Sequence, residues 1–350
     1  MWFIRPTATS SVFSGGALKR LAWALLAIPL MLAALATTAA AQPGPLRVLY
    51  LSQSVGFVHE TVRRPAVGLA SSELALQAMG RESGAFTVEL TQDARDITPA
   101  RLADIDVLVF STTGALPIDR AAWAAIVAWV ESGRGGFVGI HSAADTALDF
   151  EGGEDAWTAF LGGRFDGHPW TQGTEIRLAN LEPINPLVVM WPDGTAYAEE
   201  IYQYAGFNPD RVRVLQTLDM SGGPLRRPYP VPVTWIRQIG QGRLFYTNLG
   251  HTPSTWDDLR FRTQIVHAIR WTGGRVDAPA SASPNPDVQD VAAIAAFRAA
   301  EGLAPQSDRP APATIADEIR LLQTIHPEKR DGDSSAWNAA RARIRDMLQE

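Results

Sequence analysis

Cysteine is absent from the 350-residue sequence. Its absence excludes disulfides, thiolate zinc sites, iron–sulfur clusters and a cysteine nucleophile. A protein without disulfides depends on packing for its stability. Hydrophobic residues make up 46% of the chain, which is enough for a large core.

An excess of basic residues is absent as well. The 31 Lys and Arg residues are outnumbered by 37 Asp and Glu residues, which gives a net charge of −6. A nucleic-acid-binding protein carries the opposite balance. We therefore expect no nucleic-acid partner.

Long hydrophobic runs are scarce, and the run from Leu21 to Ala36 is short for a membrane-spanning helix. Basic residues precede it and small residues follow it, with Ala39 and Ala41 in the A-x-A spacing of a signal-peptidase site. We predict a signal peptide over residues 1–41, and hence a periplasmic or secreted protein without stable membrane insertion after cleavage. An uncleaved anchor is the alternative.

Residues 42–276 are expected to form one α/β domain. Up to His141, short apolar runs alternate with stretches of helical periodicity, which is typical of βαβ units and a doubly wound parallel sheet. The predicted strands are Leu46–Leu51, Phe86–Leu90, Ile105–Ser111 and Gly136–Ile140, and the predicted helices are Thr61–Gly80 and Arg120–Glu131.

Beyond His141 the pattern predicts mostly strands, which we interpret as extra antiparallel strands, and a closing helix. These elements are Thr174–Leu178, Val212–Leu218, Val231–Ile239, Arg243–Asn248 and the helix Leu259–Trp271. A linker rich in Pro, Ala and Ser is predicted over residues 277–287. A helical C-terminal extension, packed on the domain or on a partner, is predicted over residues 288–350.

Histidines are few, and most of them follow strands. Of the six, His267 lies in the closing helix and His326 in the C-terminal extension, whereas four lie in strand-end or glycine-flanked loops. Ligands of open α/β sheets bind outside the carboxyl ends of the strands. We therefore expect the four loop imidazoles to meet at one cleft; they are His59, His141, His168 and His251.

Several ordered motifs, spread over residues 46–276, resemble those of the ThuA-like (trehalose utilisation) proteins. They are Gly56-Phe57-Val58-His59-Glu60, Gly139-Ile140-His141-Ser142-Ala143, Leu161-Gly162-Gly163-Arg164-Phe165 with His168-Pro169, Glu199-Glu200-Ile201-Tyr202, Pro232-Val233-Thr234-Trp235, Gly242-Arg243-Leu244-Phe245-Tyr246 and Gly250-His251. The resemblance implies a flavodoxin-like, class I glutamine-amidotransferase-like fold. It implies no amidotransferase chemistry, because His141 occupies the elbow where such an enzyme carries its nucleophile.

The resemblance also implies a role in carbohydrate catabolism, with trehalose, a related disaccharide or its oxidised keto derivative as the substrate. Two positions depart from the family pattern. Asn185 stands where family members often have His, and Glu199 stands where Asp is common. These departures argue against a ligand role at either position.

Four residues are candidates for the catalytic chemistry. His141 can act as a general base, a metal ligand or a donor to a sugar hydroxyl. Asp145 can orient that imidazole, or it can be an ordinary acid in the first turn of a helix. Glu200 and Tyr202 alternate with Ile201 and face one side of an extended segment, which suits acid–base work on an alcohol or enol as well as an ordinary hydrogen bond.

The substrate-binding candidates lie in the loops that follow the strands. They are His59, Glu60, His168, Trp170 and His251. Trp170 can stack on a sugar ring or fill the core. Glu60 can equally be an acid at a helix N-terminus.

The same imidazoles can hold a divalent metal such as zinc. The ligands would be His59, His141, His168 and His251, and they would meet only through folding, because the sequence has no H-E-x-x-H pattern. A serine-hydrolase alternative would pair Ser142 with His251. It is disfavoured because the serine stands one place late for a G-x-S-x-G elbow.

Two functions therefore remain open. In the first, the protein is a keto-sugar isomerase or lyase, or a hydrolase, and His141 or Glu200 is the base that removes an acidic α-proton. In the second, it is a non-catalytic sugar-binding or scaffolding module with Trp170, Trp235 and Tyr202 as an aromatic platform. The expected partner is a small carbohydrate in both cases.

Overall fold

In the computed structural model, residues 44–207, 209–219 and 231–282 are described, and they fold around a nine-stranded sheet. The strands are β1 (Leu46–Leu51), β2 (Phe86–Thr91), β3 (Val107–Phe110), β4 (Gly114–Leu116), β5 (Gly136–Ile140), β6 (Thr146–Leu148), β7 (Arg164–Phe165), β8 (Trp170–Asn180), β9 (Thr195–Ile201), β10 (Tyr204–Ala205), β11 (Arg213–Leu218), β12 (Pro232–Ile239) and β13 (Gly242–Thr247). The α-helices are α1 (Ser71–Ser83), α2 (Pro99–Ala103), α3 (Arg120–Glu131), α4 (Gly153–Leu161), α5 (Pro253–Asp257) and α6 (Leu259–Thr272).

The predicted signal peptide over residues 1–41 and the predicted C-terminal extension over residues 288–350 lie outside the described residues. Of the predicted linker, residues 277–282 are described, and they form neither helix nor strand. No helix among the described residues combines the length and the apolar character that a membrane span requires.

The sheet has a parallel half and an antiparallel half, in the order β2-β1-β3-β5-β13-β12-β11-β8-β9. All neighbours from β2 to β13 are parallel. All neighbours from β13 to β9 are antiparallel. Counted in chain order, the five parallel strands follow the flavodoxin-like order 2-1-3-4-5, whose strand order reverses beside β1. The predicted α/β class, with antiparallel strands added to a doubly wound sheet, is confirmed.

Side chains alternate across the sheet and build one apolar core on each face. Leu49 and Leu51 of β1 pack into a cluster with aromatic side chains of α3 and α4. Val48 and Tyr50 point the other way, into a cluster with apolar side chains of α1 and α6. Because both faces are covered, the central strands are mostly apolar on both faces, which is why the sequence reveals them so clearly.

The first helix begins later than the sequence predicts. The prediction was Thr61–Gly80, whereas α1 spans Ser71–Ser83. Pro65 falls within the predicted helix, and proline lacks the N–H that a helix interior needs. The helix starts where the Glu73 carboxylate accepts the Ala70 N–H at 2.9 Å, and it ends at Gly84, whose φ of 62° is left-handed.

The late start leaves residues 52–70 as a largely irregular segment above the carboxyl end of β1. Apart from a short 3₁₀ turn at Glu60–Val62, it has no helix and no named strand. Arg64 anchors it through hydrogen bonds to the buried Glu73 carboxylate of α1, at 2.7–3.1 Å. The segment carries His59, so this anchor helps to fix the position of that imidazole.

We expect Trp157→Ala to destabilise the protein strongly. The ring of Trp157 is fully buried and packs against Phe110 and Phe137, and its Nε1–H donates to Ala143 O at 2.8 Å. Loss of a buried Trp typically costs about 3–5 kcal/mol. Urea denaturation followed by circular dichroism measures the change in the free energy of unfolding. Ile184→Ala, at an exposed position, is the control, and a loss below about 1 kcal/mol for Trp157→Ala would contradict this account of the core.

Candidate metal centre at the carboxyl ends of the strands

Three histidines and one glutamate meet at the carboxyl edge of the sheet. His59 follows β1, His141 follows β5, His251 follows β13, and Glu200 lies near the end of β9. One ligand atom from each residue lies within 4.8 Å of the other three. We call these four residues the His₃Glu cluster. The sequence predicted that all four loop histidines converge, and three of them belong to this cluster.

The imidazole rings of the cluster pack edge to face. Their centroids are 5.2 Å apart for His59 and His141, 5.1 Å for His59 and His251, and 4.9 Å for His141 and His251. Each ring comes from a different strand end, so the spacing follows from the parallel register and not from a local motif. This explains why the short metal-binding patterns are absent from the sequence.

His141 is held in one orientation and one tautomer. Its Nδ1 lies 2.7 Å from the carbonyl oxygen of Asn248, which can only accept, so Nδ1 carries the proton. Nε2 then presents a lone pair to the cluster, as in metal sites whose histidines donate their other nitrogen to a carbonyl. This orienting role was one of the two that the sequence allowed for Asp145. The Asn248 carbonyl fills it instead.

The backbone at His141 is unusual. Its φ of 44° is the one positive value at a non-glycine position among the described residues. The carbonyl of His141 accepts a hydrogen bond from the Tyr246 hydroxyl at 2.8 Å, which supports this conformation. The residue at the tip of the strand is therefore His141, and Ser142 follows one place later; both are buried.

Three donor atoms form a nearly equilateral triangle. His141 Nε2 lies 3.0 Å from His251 Nδ1 and 3.5 Å from Glu200 Oε1, and His251 Nδ1 lies 3.1 Å from the same oxygen. The fourth residue, His59, has its Nε2 3.2 Å from the Tyr202 hydroxyl and its Nδ1 3.4 Å from Thr113 Oγ1. The Tyr202 ring also packs on His141, with 4.3 Å between the centroids.

Electrostatics favour the neutral form of His59 and the ionised form of Glu200. Burial, together with repulsion from His141 and His251, lowers the pKa of His59 to about 3, so its imidazole is neutral. Burial alone would raise the pKa of Glu200, but its contacts with the His141 and His251 side chains outweigh burial and hold that pKa well below its ordinary value. Burial, reinforced by the Glu200 charge, raises the pKa of Tyr202 well above its ordinary value, so this phenol keeps its proton.

Glu199 supports the cluster from behind. Its Oε1 accepts hydrogen bonds from the backbone N–H groups of Gly250 and His251, at 2.7 and 3.0 Å, and from Thr255 Oγ1 at 2.9 Å. Its Oε2 accepts the Glu200 N–H at 3.1 Å. The Glu199 carboxylate therefore positions both the loop that carries His251 and the backbone of Glu200. The sequence did not reveal this role.

His168 and Asp145 lie at the edge of the site. Nearly half of the His168 side chain is exposed, and its Nδ1 is 3.7 Å from Glu200 Oε2. The sequence placed His168 among the metal ligands, but the group of converging ligand atoms contains Glu200 in its place. Burial and the charge of Glu154 raise the pKa of Asp145 to about 6, although the charge of His168 opposes this.

The aromatic platform predicted from the sequence is wrong for both tryptophans. Trp170 is 3% exposed and belongs to the core beneath β8, and Trp235 is fully buried. Trp235 donates its Nε1–H to Leu161 O at 2.8 Å. Neither ring can stack on a substrate. Glu60 is exposed at the start of a 3₁₀ turn and forms no part of the His₃Glu cluster.

The two departures from the family pattern have separate explanations. Asn185 lies away from the cluster, where its side chain bonds Glu182 Oε2 at 2.8 Å and the Leu187 N–H at 3.0 Å. Glu199 is adjacent to the cluster but supports it through backbone N–H groups. The sequence signal for Glu199 and Asn248 is weak, because most of their partners are main-chain groups of distant segments, which leave no pattern in the sequence.

Glu199→Gln is expected to destabilise the protein by about 1–3 kcal/mol, the cost of leaving a buried donor unsatisfied. A glutamine can keep the three bonds at Oε1, but its NH₂ group would then face the Glu200 N–H. Chemical denaturation measures the loss. Glu175→Gln, at an exposed position on β8, is the matched control, and equal stability of the two variants would contradict the assignment.

Asp145→Asn is expected to stabilise the protein at neutral pH by about 1–2 kcal/mol. The folded-state pKa of Asp145 lies above the unfolded value, so the native state loses stability as the pH rises from about 4 to about 6, and the loss stays constant above that pH. The gain should therefore shrink as the pH falls from 6 towards about 4. Denaturation curves at several pH values test this, with the exposed Asp149→Asn as the control. A gain that is independent of pH would refute it.

A comparison with solved structures found several similar chains. A putative ThuA-like protein from Bacteroides uniformis is 20% identical, with a TM-score of 0.51, over 67% of this chain and 94% of that chain. A putative ThuA-like protein from Parabacteroides merdae is 16% identical, with a TM-score of 0.49, over 67% and 93% of the two chains. A β-galactosidase from Rahnella is 16% identical, with a TM-score of 0.41, over 69% of this chain and 33% of that chain.

A comparison with curated proteins gave no match. The family model ThuA, described as trehalose utilisation, matches residues 47–272, which include every strand of the parallel half and the whole His₃Glu cluster. The chain therefore belongs to the ThuA family.

Proposed function

We propose that the protein is an exported enzyme of carbohydrate catabolism that acts on trehalose or a related disaccharide, including its keto form, by metal-assisted acid–base chemistry. Membership of a family described as trehalose utilisation supports the substrate class. The His₃Glu cluster supports the chemistry. The export signal would be residues 1–41, and the metal would be a divalent ion such as zinc.

The observation that carries this proposal is the spacing of the donor atoms. Tetrahedral ligands about 2.0–2.1 Å from a zinc ion lie about 3.3 Å from one another. The three distances within the triangle of His141, His251 and Glu200 are 3.0, 3.1 and 3.5 Å. Three imidazoles and one carboxylate are also donors that zinc and neighbouring transition metals prefer.

The charge of the site supports a cation as well. Glu199 and Glu200 are adjacent buried carboxylates, and no Arg or Lys among the described residues pairs with either. The imidazole of His59, which belongs to the same cluster as Glu200, is neutral at physiological pH. Backbone and hydroxyl donors satisfy Glu199, whereas the buried charge of Glu200 needs compensation, and a divalent cation between its carboxylate and the imidazoles would provide it.

A bound divalent metal would act as a Lewis acid towards a sugar carbonyl or hydroxyl oxygen. The protein's own residues would handle the proton. Glu200 keeps Oε2 outside the triangle and 3.7 Å from His168 Nδ1, so the exposed His168 imidazole can take an α-proton at its other nitrogen while the ionised carboxylate stabilises the imidazolium that forms. Tyr202 keeps its phenolic proton and can donate a hydrogen bond beside His59, whose Nε2 lies 3.2 Å from the hydroxyl.

We expect His141→Ala and His251→Ala each to lose bound metal. The purified wild-type chain should hold about one divalent ion, and removal of a ligand should weaken binding more than the 10–100-fold that supporting residues typically cost. Elemental analysis and zinc titration with a chromophoric chelator measure this. His267→Ala is the matched control, because the Nδ1 of His267 also bonds a backbone carbonyl, Pro186 O, but away from the cluster.

Activity is tested on trehalose and keto-trehalose, with product detected by NMR spectroscopy. Chelated protein should be inactive and should recover when zinc, manganese or cobalt is returned. A metal-free wild-type protein that converts either sugar would overturn the metal-assisted mechanism. A fully metal-loaded protein that converts neither would overturn the proposed substrate class.

A further inference from the structure

One large apolar side chain is exposed beside the cluster. Phe57 is 65% exposed, and its ring meets His59 edge to face, with 4.8 Å between the centroids. It lies in the segment 52–70, whose other exposed apolar side chains are Val55 and Val67. An isolated exposed phenyl is ordinary on a protein surface. Phe57, in contrast, contacts His59 of the His₃Glu cluster, so its exposed ring lies next to the candidate site.

Phe57 ends a continuous series of ring contacts around the cluster. His59 meets the Tyr202 hydroxyl, Tyr202 packs edge to face on Phe165 at 4.5 Å, and Phe165 stacks with His168 at 5.8 Å. The interior members, His59 and Tyr202, are buried, whereas the two ends, Phe57 and His168, are open to solvent. A ligand that reaches the cluster can therefore meet an apolar ring at one end of the series and an imidazole at the other.

This combination selects for a ligand with one apolar face and a polar rim. A pyranose ring has both, since its axial C–H groups form an apolar face and its hydroxyls surround it. Binding sites for small molecules are lined by aromatic side chains with a few polar groups that fix orientation. The tryptophans that the sequence suggested for this purpose are buried, so among the described residues Phe57 is the exposed apolar ring at the site.

We propose that Phe57 is the sugar-stacking residue of this site and that one pyranose ring of a disaccharide lies against its phenyl face while an oxygen of the same sugar faces the His₃Glu cluster. This inference rests on the proposed function and adds a binding subsite to it. A protein partner fits less well. A stable interface buries about 800 Å² on each side, and Phe57 with Val55 offers only two apolar side chains.

The experiment compares Phe57→Ala, Phe57→Tyr and the control Val67→Ala in the zinc-loaded full chain. Val67 is an exposed apolar residue of the same segment. Calorimetric titration with trehalose measures affinity, and elemental analysis measures zinc. We expect Phe57→Ala to raise the dissociation constant about tenfold, on the scale of one lost aromatic contact. Phe57→Tyr should stay within about threefold of wild type, and all variants should keep their zinc.

Three results would overturn the inference. Equal trehalose affinity of Phe57→Ala and wild type would remove Phe57 from the subsite while leaving the proposed function intact. Loss of zinc in Phe57→Ala would mean that the side chain acts by supporting His59. A wild-type protein that holds zinc but binds no trehalose would defeat both this inference and the proposed substrate class.

Discussion

The two halves of the site are joined by one asparagine. The side chain of Asn248, at the end of the last parallel strand, accepts the Tyr202 N–H at 3.1 Å and donates to the Tyr202 carbonyl at 3.0 Å. Its own carbonyl accepts from His141. Asn248 thus connects a ligand from the parallel half to the segment that carries Glu200 and Tyr202 from the antiparallel half. Without this connection, each half would present only part of a binding site.

Burial of charge is the second constraint on the site. Two neighbouring carboxylates lie inside the protein, and they are stabilised in different ways. Glu199 is surrounded by backbone and hydroxyl donors, which satisfy it without a cation. Glu200 contacts imidazoles, and the same carboxylate and imidazoles could bind a metal ion together. Glu199 therefore fixes the shape of the site, and Glu200 is available to a ligand.

The sequence predicts the sheet well because its strands carry a local signal. The runs Leu46–Leu51 and Gly136–Ile140 are apolar apart from Arg47, and both form strands with those bounds. Helix α3 (Arg120–Glu131) is also predicted with the bounds that the structure shows. The start of α1 is predicted less well, because its apolar spacing extends backwards through Pro65, which cannot lie in the interior of a helix.

The site is predicted only in part, and the reason is geometric. Histidines after parallel strands converge by topology, so His59, His141 and His251 can be found from their positions. Whether His168 or Glu200 is the fourth member of the cluster depends on how the antiparallel half brings the end of β9 to the cluster. No local sequence pattern records this arrangement. Trp170 and Trp235 resemble sugar-binding aromatics in the sequence, and only their burial shows that they belong to the core.

The left-handed backbone of His141 has a consequence for engineering. A non-glycine residue in that conformation costs the native state about 1–2 kcal/mol, a cost that glycine would largely avoid. The buried imidazole offsets this cost through its bond to the Asn248 carbonyl and its contact with Glu200, so a glycine at this position would remove the strain and these contacts together. An engineered variant at this position therefore needs to be screened for both thermal resistance and ligand binding.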